Sequence, residues 1–157
     1  MDIVIRRPEG EAELEACGRI MSSQEPWLTL RRGFDQAMAL LKNPEREVYV
    51  AAVGGAVAGF IILCMAGAFK GYIQTIAMAP DQQGRGIGGK LMAFAEKRIF
   101  SESPNAFICV SDFNPDARRL YERLGYGLVG ELKDYVVAGH SELLLRKTIG
   151  PLEGFKP

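Results

Sequence analysis

Little in this chain is suited to disulfide or metal chemistry. Its 157 residues include three cysteines and one histidine. Cys17, Cys64 and Cys109 are odd in number, lie far apart, and each sits in an apolar stretch. Buried free thiols in a reducing compartment explain that pattern better than a disulfide framework. No C-x-x-C pair and no Cys/His cluster offers a zinc site. Surplus charge is missing too, since Lys plus Arg and Asp plus Glu number 19 each. Without a basic excess there is no nucleic-acid surface to expect, and without an acidic tail no charged partner. A long apolar run is also absent. The most apolar stretch, 48–68, is broken by Gly54, Gly55, Gly59 and Gly67, whereas a membrane span needs about 20 unbroken apolar residues. The N-terminus, Met1 to Arg7, is strand-like and lacks a signal-peptide core. These absences predict a cytoplasmic protein with no membrane and no nucleic acid among its partners.

What is present predicts one domain. The length suits a single core, and no repeat, low-complexity stretch or linker divides it. A domain over 1–149 and a loose tail over 150–157 are expected. Ile3 to Arg7 reads as a strand ended by Pro8. Helical periodicity follows from Glu9 to Ser22 and again from about Leu28 to Leu41, with a turn carrying the one Trp between them. Glu47 to Val53 and Ala56 to Met65 read as strands joined by Gly54-Gly55, a tight hairpin turn. Gly71 to Met78 is a further strand. Gln82-Gln83-Gly84-Arg85-Gly86-Ile87-Gly88-Gly89 is a glycine-rich loop leading into a helix. Ala106 to Ser111 is the next strand. Asn114-Pro115-Asp116 opens a helix with Asn as N-cap, Pro at N1 and an acid in the first turn. Tyr126 to Leu132 and His140 to Arg146 are the last strands.

A strand, a glycine-rich turn and a helix make an anion site. The first helical turn leaves N–H groups unpaired, and the helix dipole adds positive potential there. Three fingerprints compete for the loop. Gly84, Gly86 and Gly89 satisfy G-x-G-x-x-G, with Asp112 ending the next strand, but Ala79 to Gln83 separate these glycines from their strand. Gly84 to Lys90 satisfies G-x-x-x-x-G-K, but Leu91 stands where a Ser or Thr must hold magnesium. The third is Q-x-x-G-x-G at Gln83 to Gly88, followed by Asn114-Pro115-Asp116-Ala117-Arg118-Arg119-Leu120-Tyr121-Glu122-Arg123-Leu124-Gly125-Tyr126. That pair of motifs, at this spacing, resembles the GNAT superfamily of N-acetyltransferases.

The resemblance implies an α/β (α+β) fold. Its sheet would be mixed, mostly antiparallel, of about seven strands with four helices, and splayed at its central parallel pair. It implies acetyl-CoA as cosubstrate, no metal, and an amine acceptor, small molecule or protein; a homodimer stays open. The backbone of Gly84, Arg85, Gly86, Ile87, Gly88 and Gly89 would hold the pyrophosphate. The backbones of Ile76, Ala77 and Met78 would pair with the pantetheine arm, and one of their N–H groups would polarise the thioester carbonyl. Tyr121 would be the general acid, since a phenol with pKa about 10 is protonated at neutral pH. Asn114 would cap its helix and touch the cofactor. Glu25 and Trp27 in the first inter-helix turn, with Tyr135 in the last inter-strand connection, would flank the acceptor, where an exposed Trp and Tyr beside acids suit a cationic amine; equally, Trp27 would staple the first helix pair and Tyr135 cover the last hairpin. The family's usual base positions fall on Tyr72 and Cys109, which cannot play that part. A water chain, Asp112 or Glu131 are the substitutes considered. A non-catalytic acyl-CoA-binding module and a nucleotide-binding protein remain as alternatives.

Overall fold

The computed structural model describes residues 1–157. Seven strands form one sheet in the order β1-β2-β3-β4-β5-β7-β6. They are β1 (Ile3–Arg6), β2 (Arg46–Val53), β3 (Ala56–Cys64), β4 (Tyr72–Met78), β5 (Asn105–Ser111), β6 (Gly127–Leu132) and β7 (Glu142–Thr148). Four helices accompany them: α1 (Glu11–Ser22), α2 (Phe34–Leu41), α3 (Ile87–Phe100) and α4 (Pro115–Arg123). Every neighbouring pair is antiparallel except β4 and β5. Those two are joined through α3, and a parallel pair requires such a crossover. The fold class expected from the resemblance is the one observed.

Local chemistry explains the best-defined junctions. Gly54 and Gly55 both adopt positive φ, 57° and 82°, as a two-residue turn joining right-twisted strands demands. β3 lies between two helical layers, so Phe60, Ile61, Ile62 and Leu63 are all fully buried. Ile61 and Leu63 pack with α3 residues Leu91, Ala95 and Ile99. Phe60 and Ile62 face Cys17, Met21 and Met38 of α1 and α2. Each such side chain contributes about 1.5–3 kcal/mol on burial. Gly18 brings α1 and α2 close: a Cβ there would stand 2.8 Å from Met38 Sδ.

The second helix begins later than the periodicity predicts. Residues 24–31 form turns, and α2 starts only at Phe34. Arg31 takes a left-handed φ of 55°, which no continuing helix tolerates. Gly33 then caps α2, its N–H bonding Gln36 Oε1 at 2.8 Å. The detour lets Trp27 and Leu30 be buried along with Ala37, Met38 and Leu41.

The sheet opens in the middle. β4 and β5 pair only at Tyr72↔Phe107 and Ile73↔Ile108, although β5 stays paired with β7 along its whole length. A bulge in β4 coincides with the parting, since Ile62 pairs with Thr75 and Leu63 with Ile73, leaving Gln74 extra. A bulge bends its strand and increases local twist, turning β4 away from β5. After β7 the chain makes a single turn, mostly exposed.

Candidate active site

The glycine loop sits where β4 ends. Ala79 N–H bonds Ala58 O at 2.9 Å, Pro80–Gln82 make one 3-10 turn, and α3 starts at Ile87. Gly84 (φ 74°) and Gly86 (φ 78°) are both left-handed, a conformation that disfavours any residue with a Cβ. No side chain caps α3, and its first turn holds no acid. A Cβ at Gly84, Gly86 or Gly89 would meet nothing within 4 Å. The loop thus leaves uncapped N–H groups in open space at a helix start, the arrangement that attracts a phosphate. Ile87 is buried and anchors the helix, so only its backbone faces that space. Arg85 is exposed, with Nη1 donating to Gln82 Oε1 at 3.3 Å. A Cβ at Gly88 would stand 3.1 Å from Met78 Cε, so α3 starts directly against the β4 end.

A cavity of about 860 Å³ runs from this loop through the gap between β4 and β5. Backbone groups alternate along a strand, and those of Ala77 and Ala79 face β3. The amides of Ile76 and Met78 therefore face the gap, where β5 offers no partner. Of the three expected backbone partners, Ala77 is the one turned away. Gln24 Nε2 donates to Met78 O at 3.0 Å and Gln24 Oε1 accepts from Gln83 Nε2 at 2.8 Å, tying the α1–α2 turn to the loop.

Tyr121 and Asn114 line the same cavity. Asn114 Oδ1 accepts from Ala117 N at 3.3 Å as the cap of α4. Tyr121 is buried on α4, its ring 6.3 Å from that of Tyr126. Desolvation by burial pushes its phenol up to about 12, with no hydrogen bond contributing. It is a proton donor across the whole neutral range.

The expected acceptor residues divide. Tyr135 is exposed at the rim, as expected. Trp27 is not exposed: it is buried in the α1–α2 core, and Arg32 covers its ring at 4.8 Å from the centroid. Trp27 contributes to the cavity wall, but its ring already holds the chain's own cation. Glu25 lines the mouth, and its carboxylate already accepts from Thr29 N at 3.0 Å and Thr29 Oγ1 at 2.8 Å.

The substitute bases lie elsewhere. Asp112 accepts from Ser141 N at 2.9 Å and stands 3.4 Å from His140 Nδ1. Glu131 accepts from Ser141 Oγ at 2.7 Å. Both tie strand ends together outside the cavity. Tyr72 and Cys109 do line it, and burial pushes both up from their ordinary values. Neither is a base at neutral pH.

One acid in the wall escaped the sequence reading. Glu142 opens β7 opposite Ser111 of β5. Its Oε1 accepts from Ser111 Oγ at 3.1 Å, while Oε2 is buried with no partner. Desolvation raises its pKa, the Asp112 charge adds to the rise, and the Ser111 bond opposes it. Such an orphan costs about 1–3 kcal/mol, more when charged. For an acid raised in the folded state, the native form gains stability below the unfolded pKa, and that gain is lost as pH rises through the raised value. Glu142→Gln is therefore expected to melt no lower than the parent at pH 8. Its advantage should shrink as pH falls toward 4.5, the ordinary glutamate value. Melting scans at the two pH values check this, and a variant less stable at pH 8 would contradict it.

No helix is long and apolar enough to cross a membrane. Comparison with known proteins agrees with the geometry. Residues 12–126 match the acetyltransferase (GNAT) family. The N-alpha-acetyltransferase RimI of Mycobacterium tuberculosis is 29% identical over 143 residues, which are 88% of this chain and 85% of that protein. A solved GNAT-family chain from Desulfovibrio desulfuricans superposes with a TM-score of 0.79 at 21% identity, covering 95% of this chain and 100% of that one. A Bacillus anthracis chain solved with acetyl coenzyme A gives 0.61 at 19% identity, over 71% of this chain and 66% of that one. With its glycine-rich helix start, its parted strands and this match, the chain belongs to the GNAT acetyltransferase family and is an acetyl-CoA-dependent N-acetyltransferase.

Proposed function

We propose that residues 1–149 form a single acetyltransferase domain that moves the acetyl group directly to a primary amine while both substrates are bound. The observation that carries this reading is the cavity itself: it extends from the β4–loop–α3 junction through the strand gap to the α1–α2 turn and the β6–β7 connection. Acetyl-CoA brings an activated thioester. The N–H groups of residues 84–89 hold its pyrophosphate, with Asn114 beside the same channel. The Ile76 and Met78 amides align the pantetheine arm, and one of them stabilises negative charge on the carbonyl oxygen. Tyr121 gives its proton to the departing sulfur. Glu25 and Tyr135 shape the acceptor's entrance, while Trp27 supports the wall behind them. The similarity to an N-alpha-acetyltransferase is consistent with an amine acceptor.

A thermal-shift series with acetyl-CoA, ATP and NAD tests the ligand. Acetyl-CoA at 100 times its Kd should add about 2.7 kcal/mol of stability, and ATP and NAD should add nothing. An equal shift with ATP would contradict the reading. Amine-dependent thiol release then tests transfer, and no release with any amine would refute it.

A further inference from the structure

We propose that Glu142 takes the proton from the acceptor's ammonium, and that the apolar recess beside it seats a hydrophobic group on the same acceptor. The substrate class is then a monoamine carrying an aliphatic or aromatic body. This rests on the transferase reading above and names its proton acceptor and acceptor chemistry.

Only two carboxylates line the cavity, Glu25 and Glu142. Both oxygens of Glu25 are taken by Thr29. Glu142 keeps one oxygen without a partner, and an ammonium offers three donors. The groups around Glu142 are Ser111 and Cys109 from β5, Asp112 just after that strand, and Tyr72 from β4, with Tyr135 of the β6–β7 connection acting on Tyr72. None of these is a cation, and the nearby His140 faces Asp112 instead, its Nδ1 3.4 Å from Oδ1.

The recess holds about 320 Å³, and all 10 of its lining residues are hydrophobic. Tyr72, Cys109 and Tyr135 line both the recess and the main cavity, so the two spaces adjoin. Leu144 of β7 forms part of its wall. It lies two residues beyond Glu142, so both side chains point to one face about 7 Å apart. That span fits an amine and an apolar group separated by a short linker. A second charge, as in a polyamine, would be stripped of water there without a partner.

The protons balance. Glu142 takes one proton from the ammonium, and the freed lone pair forms the C–N bond at the acetyl carbon. The C–S bond breaks, and Tyr121 gives its proton to the sulfur. Tyr121 recovers a proton from the newly bonded nitrogen, and Glu142 releases its own to water. Amide, free thiol and one proton result.

The test is thiol release with phenethylamine, methylamine and spermidine, alongside calorimetric titration with acetyl-CoA. The parent should favour phenethylamine over spermidine by at least about tenfold in kcat/KM. Glu142→Gln should keep acetyl-CoA affinity and lose about 10²–10⁴-fold in kcat with phenethylamine. It should also lose the acidic limb of the pH profile, which lies above the ordinary carboxylate range. Leu144→Asn should raise KM for phenethylamine about tenfold and leave methylamine unchanged. Retention of rate and acidic limb by Glu142→Gln, or a preference for spermidine, would overturn the proposal. Parental turnover in that case still upholds the transferase reading. Acetyl-CoA binding without turnover on any amine would overturn both.

Discussion

Tyr121→Phe is expected to turn over about 10²–10⁴-fold more slowly, with acetyl-CoA affinity and melting temperature nearly unchanged. The phenol lines the cavity, and burial is the sole influence on its proton affinity. Removing its oxygen therefore breaks no internal hydrogen bond, and the ring keeps its packing against Tyr126. The rate depends on the proton. A thiolate leaving into a desolvated cleft is costly, so an acid in place speeds collapse of the tetrahedral adduct. Burial holds Tyr121 near 12, and the same desolvation raises the proton affinity of the departing sulfur. Rate and melting temperature measured on one preparation separate the two roles. A variant that melts lower but keeps its rate would make Tyr121 a packing residue.

Gly86→Glu is expected to abolish acetyl-CoA binding while the protein stays folded. Gly86 is left-handed at the start of α3, so any side chain pays about 1–2 kcal/mol of backbone strain. Space is not the obstacle, because a Cβ there meets nothing within 4 Å. The carboxylate would instead project into that open space and carry like charge to the phosphates. Gly86→Ala bears the strain without the charge and should weaken binding only partly. Calorimetric titration of both variants is the check. Binding of acetyl-CoA by Gly86→Glu at parental affinity would show that the pyrophosphate lies elsewhere.

The helix starts near these two residues were legible in the sequence because they are encoded locally. A glycine run before a helix and an Asn-Pro-Asp helix start are encoded within a few neighbours, and α3 and α4 begin there. The hairpin at Gly54-Gly55 was equally local. The two readings of Trp27, acceptor contact or staple of the first helix pair, could not be separated in the sequence, because its exposure depends on how the α1–α2 turn folds back on the sheet. The left-handed Arg31 that produces that detour leaves no periodic trace. Glu142 went unseen for a topological reason. β7 inserts between β5 and β6, so its neighbour Ser111 is remote in sequence. In the run Glu142 to Leu145, apolar residues also occupy both faces, which hides the face that looks into the cleft.

Direct transfer inside this cleft is best tested by initial rates with acetyl-CoA and phenethylamine varied together, and by the intact mass of enzyme incubated with acetyl-CoA alone. Cys109 lines the cavity, so a covalent acetyl-enzyme is the mechanism to be distinguished. Burial raises that thiol above its ordinary pKa and keeps it a poor nucleophile. The account predicts intersecting double-reciprocal lines and an unmodified enzyme mass. Parallel lines, with one acetyl group gained by the enzyme before any amine is added, would contradict it.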